Sequence, residues 1–145
     1  MVRANDAAVA LVAMVGPAAM EDGLNVYRLS LHPEGLVARS PNPHEWVPPL
    51  VAQLRRSVRT GADAVLTELL DEVMAYPATA AFVDDPGPTP EPAVVVPFRL
   101  TADGGELSLF TTLTTFGTAT DITFAELAIE LFFPEDDATE QLLRA

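Results

Sequence analysis

The sequence predicts an α+β fold, with helices in its first two-thirds and an antiparallel sheet in its last third. From Ala93 onwards, runs of apolar and β-branched residues are separated by turn residues and followed by a short closing helix, which is typical of strands and hairpins. Between residues 48 and 76 the apolar residues instead recur every three or four positions, the spacing of an amphipathic helix. Hydrophobic residues make up 49% of the 145, so we expect a single domain over residues 1–145 with one core.

Capping signals place the first helices. Asn5-Asp6 precede an Ala-rich segment, Ala7–Val15, which we expect to be a helix that stops at Gly16-Pro17. The apolar spacing of Leu24–Leu31 fits neither a helix nor a strand cleanly, and a helical turn is expected there.

The middle of the chain predicts two further helices. Asn42-Pro43-His44-Glu45 has the pattern of a capping box. Because Pro48 and Pro49 remove backbone donors, we expect one turn over Pro43–Trp46 and then a new helix from Pro48 or Pro49 to Arg59. Asp63 is a suitable cap for the next helix, which should run to about Tyr76 and stop at Pro77.

Three strands follow, with bounds at Val94–Leu100, Glu106–Thr115 and Leu127–Phe133. Thr101–Gly105 supplies a hairpin between the first two, and Asp136 or Asp137 caps the closing helix. Alternation assigns an apolar inward face to Val94, Val96, Phe98, Leu100, Leu107, Leu109, Leu113, Ile129, Leu131 and Phe133. Thr111 adds a hydroxyl to that face, and Glu106 and Glu130 are expected to point outward.

Composition excludes several classes of function. The net charge is −13, with 21 acidic and 8 basic residues, and such a surface repels a phosphate backbone, so no nucleic-acid contact is expected. The basic residues are all arginine, and Arg55, Arg56 and Arg59 are close together on a predicted helix. A solvated, salt-bridging helix face is favoured for them over a phosphate-binding or partner-docking patch. No cysteine is present, and the apolar run of Ala7–Val15 is too short to span a membrane. A cytoplasmic location is expected, with secretion as a minor alternative because that run is a marginal signal-peptide core.

Candidates for chemistry are few. His32 and His44 each lie next to a proline and lack the spacing of a metal site or a catalytic triad. Glu135-Asp136-Asp137 opens a helix, where acidic residues favour the helix dipole. We therefore expect no catalytic residue, no metal and no cofactor, and interpret the lone Trp46 as a core anchor.

A resemblance extends over nearly the whole chain. The segments that carry it are Asn25–Pro33, Gly35-Leu36, Glu45-Trp46, Leu54–Arg56, Leu109–Thr118, Asp121–Thr123, Glu126–Glu130, Phe132–Pro134 and Ala138-Thr139. Through them the chain resembles the ligand-binding domain of MmyB-like transcription regulators. Each segment is weakly specific alone, but the combination is characteristic.

The resemblance implies a PAS-like antiparallel sheet with helices over one face and a cavity between the two layers. In such proteins the domain follows a helix-turn-helix domain of the XRE type, and the cavity accepts an apolar, fatty-acid-like molecule. The family supplies no catalytic residue to transfer. The residues expected to contact the ligand are Trp46, Phe98, Leu100, Leu107, Leu109, Thr111, Leu113, Ile129, Leu131 and Phe133.

Two departures from the family pattern matter for the fold. No helix-turn-helix region is present, and Val2–Ala8 matches the end of the second family strand and the start of its first helix. With the first family strand absent, the sheet should have three strands, and Leu127–Phe133 should carry an unpaired edge. Pairing of that edge in a homodimer is the expected consequence.

Three functions remain in order of preference. The first is a ligand sensor that passes a signal to a DNA-binding partner by changing its helix packing. The second is an orphan dimerisation domain. The third is a small cavity enzyme of the isomerase type, which needs a buried inward carboxylate and is disfavoured by the outward placement of Glu106 and Glu130.

Overall fold

The computed structural model describes residues 5–61, 63–84, 97–115 and 128–144, with the side chains of 82–84, 113–115 and 128–130 excepted. Six α-helices and three strands lie in these ranges. The helices are α1 (Asp6–Val12), α2 (Val26–Leu31), α3 (Pro43–Gly61), α4 (Ala64–Met74), α5 (Pro77–Asp84) and α6 (Asp137–Arg144). The strands are β1 (Phe98–Ala102), β2 (Gly105–Thr115) and β3 (Ala128–Pro134), and short 3₁₀ turns occupy Pro17–Met20 and Leu36–Arg39. The predicted α+β class is confirmed.

Side-chain caps begin several helices as the sequence predicts. The Asn5 carboxamide accepts from the Ala8 amide at 2.9 Å, and the Asp63 carboxylate accepts from the Val65 amide at 2.9 Å. Asp136 accepts from the Thr139 amide at 2.7 Å, and this hydrogen bond is the main cause that holds the pKa of Asp136 below its usual value. Each cap satisfies an amide that would otherwise have no partner at the start of its helix.

The long helix α3 corrects two expectations. It runs without a break from Pro43 to Gly61, although Pro48 and Pro49 lie inside it. The prolines leave two carbonyls of the preceding turn without their helical N–H donors. The buried side chains before and after the prolines nevertheless share one face of a single helix. Their packing against the core outweighs the lost hydrogen bonds. These side chains are Trp46, Val47, Val51 and Leu54.

The other correction at this helix concerns Asn42, whose side chain does not form the predicted capping box. Its amide nitrogen donates to the Pro97 carbonyl at 2.9 Å, and its amide oxygen accepts from the Arg99 amide at 3.1 Å. Asn42 is buried. It therefore joins the start of α3 to the start of β1.

Helix α5 is a further difference from the prediction, which used Pro77 only as a stop signal. Pro77 instead occupies the first position of α5, where a missing N–H has no helical partner to lose. The helix packs against α3 and α4.

The sheet has the order β1-β2-β3 and both pairings are antiparallel. Phe98 pairs with Leu109 and Leu100 with Leu107, which places these four buried residues on one face. The hairpin between β1 and β2 lies where it was predicted, and Gly105 has a φ of +141° that favours glycine. Residues 94–96, which the sequence assigns to the first strand, lie outside the described residues.

The face prediction for β3 is wrong. Phe132 pairs with Thr111, lies on the core side and contacts Phe98, whereas Leu131 and Phe133 are 44% and 39% exposed. On the outer face Phe133 stacks on Phe110, with ring centroids 5.0 Å apart. Both faces of this strand are apolar in sequence, so alternation alone could not choose between them, and the register with β2 decides.

Helix α6 closes the hairpin end of the sheet. Beyond the end of β3, the Glu135 amide donates to the Ser108 carbonyl and the Ser108 amide donates to the Thr139 hydroxyl, both at 2.9 Å. These bonds satisfy the backbone of β2 after its partner strand has ended. Leu142 of α6 lies so close to Gly104 that a β-carbon there would come within 2.8 Å of it.

A partly buried cluster joins α2 to α4. The Arg28 guanidinium donates to both Glu72 carboxylate oxygens, with Nη2 to Oε2 at 2.7 Å, and the Tyr76 hydroxyl donates to the same carboxylate. The hydrogen bond from Arg28 holds the pKa of Glu72 below its usual value, while burial and the bond to Glu72 raise the pKa of Tyr76 to about 12. His32 packs edge-on against the Tyr76 ring at 5.2 Å.

Replacing Glu72 with Gln is expected to lower the free energy of unfolding at pH 7 by about 1 kcal/mol, since a charge-assisted bidentate pair becomes a neutral contact. The pKa of Glu72 is lower in the folded chain than in the unfolded one. The contribution of the pair is therefore complete above the usual carboxyl pKa of about 4.3 and is lost as the pH falls from there towards the folded value. Glu72→Gln should remove that part of the acid sensitivity.

Urea unfolding at pH 7 and at steps below pH 5 measures both effects. Glu68→Gln, on the exposed side of the same helix, removes the same charge and serves as the control. Equal losses of stability in the two variants would show that the cluster contributes nothing specific.

Candidate functional site

A cavity of about 220 Å³ lies between α3, α2 and the core side of the sheet. Helix α3 supplies one wall, Ser30 of α2 supplies an edge, and all three strands contribute one residue each to the floor. The lining residues are Ser30, Trp46, Pro49, Leu50, Gln53, Arg56, Phe98, Thr111 and Phe132.

The wall formed by α3 is a stripe at helical spacing. The residues of this wall recur every three or four positions, apart from the adjacent pair Pro49 and Leu50. They are Trp46, Pro49, Leu50, Gln53 and Arg56. Such residues lie along one side of a helix. The stripe changes from apolar to polar along its length, so the cavity has an apolar end and a polar end.

The apolar end is aromatic. The rings of Trp46 and Phe98 meet edge to face with centroids 4.8 Å apart, and the rings of Phe98 and Phe132 are 6.4 Å apart. Both Trp46 and Phe98 are buried, at 7% exposure each. Three contacting rings form a surface that favours an aliphatic or aromatic group over water.

Hydrogen bonds fix the tryptophan. The indole nitrogen of Trp46 donates to the Ser40 hydroxyl at 2.9 Å, and that hydroxyl is 3.1 Å from the amide oxygen of Asn42. Because Asn42 also holds β1, the ring and the strand below it are held by one connected network. A wall fixed in this way is already shaped before a ligand enters.

The polar end carries Arg56, which has no charged partner among the residues that the structure describes. The described ion pairs of arginine involve Arg28 and Arg144, and Arg56 makes none of them with the described residues. Arg56 is exposed and lines the cavity. Within the described part of the chain Arg56 therefore does not form the salt bridge that was expected from the sequence, and its exposed guanidinium has no described anionic partner.

A second, larger hollow of about 510 Å³ lies between α1, the β1–β2 hairpin and α6. Its lining includes Leu11, Leu107 and Leu142, together with Arg144, which is already paired with Glu140. It has neither an aromatic floor nor an unpaired cation among the described residues. The cavity under α3 is therefore the candidate site.

The structure divides the residues that the sequence assigns to ligand contact. Trp46, Phe98 and Thr111 line the cavity. The remaining assigned residues lie elsewhere: Leu100 and Leu109 are fully buried in the core, Leu107 lines the second hollow, and Leu131 and Phe133 are on the outer face. The side chains of Leu113 and Ile129 lie outside what the structure describes.

Sequence reasoning missed six lining residues: Ser30, Pro49, Leu50, Gln53, Arg56 and Phe132. For those on α3, the helical spacing from Trp46 was an available signal, but the predicted break at Pro48 interrupted it. For Phe132, the apolar character of both faces of β3 concealed the correct face.

Among residues 5–61, 63–84, 97–115 and 128–144, no group of three or more acidic or histidine side chains converges to hold a metal ion. No helix in that part of the chain is both long and apolar enough to cross a bilayer.

A rigid aromatic floor, a helical wall and a few polar groups at one end define a ligand-binding α+β domain. The chain belongs to the family of MmyB-like transcription regulator ligand binding domains, whose model matches residues 1–145. It is thus a ligand-sensing domain of the regulatory type, and its family is not one of enzymes. No curated protein and no solved structure matches the chain.

Proposed function

We propose that this domain senses a small molecule with an apolar tail and an acidic head, similar to a fatty acid, bound between α3 and the sheet. The observation that carries the proposal is the cavity whose aromatic floor ends at Arg56, for which the described residues supply no charged partner. An apolar chain would lie on Trp46, Phe98 and Phe132, and a carboxylate would meet the guanidinium.

The chemistry of the two ends supports this class of ligand. Arginine presents several N–H donors in a plane that matches a carboxylate, and a charge-assisted bond of this kind is stronger than a neutral one. Gln53 and Thr111 add neutral polar groups to the lining. A wholly apolar ligand would leave these polar groups without partners as it displaced water from them.

The size of the cavity limits the ligand. Pockets that bind drug-sized ligands have volumes of about 300–1,000 Å³, and this cavity has a volume of about 220 Å³. A short aliphatic chain fits this space, whereas a long one requires α3 to move away from the sheet.

Movement of α3 offers a route for the signal. Helix α3 packs against α4 and α5, and α2 is tied to α4 through Arg28 and Glu72. A ligand that displaces α3 would therefore alter the packing of the whole helical layer. We propose that a DNA-binding domain or partner responds to that change, since a chain with a net charge of −13 does not itself favour DNA.

Homodimerisation through β3 is a second candidate role. Within the described residues β3 pairs only with β2, and Leu131 and Phe133 expose apolar surface beside that open edge. Edges of this kind pair with other strands. Sedimentation that gives a monomer mass at every concentration would exclude this role.

The sensing proposal is tested by filling the cavity from the sheet side. Thr111→Phe should weaken the binding of decanoate by about tenfold or more, because the new ring occupies space that the ligand needs. Trp46, the only tryptophan, lies in the cavity wall, so a titration followed by its fluorescence measures the affinity. Purified protein is first freed of co-purifying lipid and checked by native mass spectrometry.

Thr112→Phe is the matched control. Thr112 is the next residue of β2 and pairs with the exposed Leu131, so it belongs to the outer face. This variant should bind decanoate as the unchanged chain does. Equal affinities in all three proteins, or no binding by any of them, would contradict the proposed site.

A further inference from the structure

Ser30 is an exception among the buried polar side chains of this fold. The buried polar residues in the described part of the chain are Ser30, Asn42, Thr79, Ser108 and Thr139. The side chains of Asn42, Ser108 and Thr139 form hydrogen bonds with distant segments. The hydroxyls of Ser30 and Thr79 form none with the described residues. Because buried polar groups are nearly always hydrogen-bonded, each of these two hydroxyls needs a physical explanation.

The two unbonded hydroxyls differ in their surroundings. Thr79 is 0% exposed, and its hydroxyl oxygen is closed off from solvent. Ser30 is 8% exposed, its hydroxyl oxygen is not closed off in this way, and the residue lines the cavity under α3. The hydroxyl of Ser30 therefore opens onto the space that we propose holds the ligand.

Ser30 also leaves unused the partner that its own helix offers. A serine or threonine inside a helix often donates to the carbonyl four residues earlier. Ser57, Thr60 and Thr67 all do so, at 3.2, 3.1 and 3.0 Å respectively. The carbonyl at that spacing from Ser30 belongs to Val26 of α2, and no described hydrogen bond joins the two. The hydroxyl therefore keeps both its donor and its acceptor sites for another group.

A ligand in the cavity changes the hydration of this hydroxyl. When the ligand expels water and places an aliphatic carbon beside Ser30, the hydroxyl stays buried without a bond, which weakens binding. A ligand oxygen in the same place restores the bond. A site with a buried hydrogen-bonding group therefore distinguishes ligands by that oxygen more strongly than an apolar pocket distinguishes them by one methylene.

The acidic head of the ligand has other partners. Gln53 and Arg56 both line the cavity and are three residues apart on α3, so their side chains are neighbours and one carboxylate can contact both. Ser30 is on a different helix, α2. It is thus available to a second polar group of the ligand.

We propose that Ser30 selects ligands that carry a hydroxyl on the aliphatic chain, in addition to the acidic head. A hydroxyl suits this position because it can donate and accept, as the serine hydroxyl can. The proposed ligand class thus narrows from fatty acids to hydroxy fatty acids. This inference rests on the proposed function, because it requires an acidic ligand in the cavity under α3.

Titrations followed by the fluorescence of Trp46 test the selection. The probes are decanoate, 3-hydroxydecanoate, 8-hydroxydecanoate and 10-hydroxydecanoate. At least one hydroxylated acid should bind the unchanged chain about tenfold more tightly than decanoate does, which is the effect of about one neutral hydrogen bond. Ser30→Ala should bind that acid about tenfold more weakly than the unchanged chain, and it should bind decanoate at least as tightly, so the preference is lost.

Arg56→Gln separates recognition of the head from recognition of the chain. Decanoate and the preferred hydroxylated acid carry the same carboxylate. This variant should therefore weaken the binding of both by about tenfold and leave the preference between them unchanged. Ser30→Ala should change the preference and leave the contact with the head intact.

Ser108→Ala is the matched control for Ser30→Ala. Ser108 is also 8% exposed, but its hydroxyl donates to Glu135 and it does not line the cavity. In urea unfolding Ser108→Ala should be less stable than the unchanged chain, whereas Ser30→Ala should not be. Ser108→Ala should keep the tenfold preference. Loss of the preference in both variants would show that it does not depend on Ser30 in particular and would overturn the proposal.

The outcomes also distinguish failure of this inference from failure of the proposed function. If decanoate binds but no hydroxylated acid binds more tightly, or if Ser30→Ala keeps the preference, the selection by Ser30 is wrong and the sensing site stands. If Ser30→Ala weakens the binding of decanoate itself, Ser30 contacts the head and its assignment to the chain is overturned. If none of the four acids alters the fluorescence of Trp46 in the unchanged chain, both proposals are overturned.

Discussion

Phe132→Ala is expected to lower the free energy of unfolding by about 2–3 kcal/mol, whereas Phe133→Ala should lower it by about 1 kcal/mol or less. Phe132 packs against the core and contacts Phe98, and its loss opens space beneath α3. Phe133 lies on the outer face, 39% exposed, with Phe110 as its stacking partner.

The two residues are adjacent and chemically identical, so each variant is the control for the other. Chemical denaturation followed by circular dichroism measures both stabilities without relying on Trp46. A larger loss for Phe133→Ala would mean that β3 presents the opposite face to the core and that the cavity floor is misassigned.

Pro48→Ala is expected to raise the free energy of unfolding by about 2 kcal/mol. A proline inside a helix costs about 3 kcal/mol relative to alanine, and alanine would restore an amide that can donate to the carbonyl one turn earlier. About 1 kcal/mol of that gain is offset, because proline restricts the unfolded chain more than alanine does. Pro48 does not line the cavity, so the affinity for decanoate should not change.

Pro43→Ala is the comparison for Pro48→Ala. Pro43 occupies the first position of the same helix, where the absent N–H removes no helical bond. Its replacement should change the stability by less than about 0.5 kcal/mol. Thermal and urea unfolding of the two variants test the pair, and a loss of stability in Pro48→Ala would show that the helix depends on proline at that position.

The sequence was sufficient for the features that depend on local chemistry. The caps at Asn5, Asp63 and Asp136 were predicted because side-chain acceptors compete for free amides within a few residues. The hairpin before Gly105 follows from the same kind of local rule. The α+β class was predicted because the period of the apolar residues changes between the helical and strand segments.

The missed features depend on contacts between distant segments. Asn42 was assigned to a local cap, but its side chain bonds to the backbone of the residue before β1 and of β1 itself, 55 and 57 residues away. Helix α3 was divided at its prolines because local propensity opposes them, and only packing against the core shows why the helix continues. Of the predicted ligand contacts, Trp46, Phe98 and Thr111 lie in the cavity. Arg56 was instead assigned to salt bridges, because the sequence shows many acidic residues but not where they lie in the fold.

The hydrogen bonds of Asn42 anchor one end of the cavity to the sheet. Asn42 precedes α3 directly and is anchored to β1 at Pro97 and Arg99, so the start of this helix behaves as a pivot. The opposite end, from Arg56 to Gly61, has no comparable described bond to the sheet. If α3 swings about Asn42, the gap between α3 and the sheet widens most beside Arg56. We expect amide hydrogen exchange at Arg99 to remain slow while the cavity admits a ligand longer than its resting length.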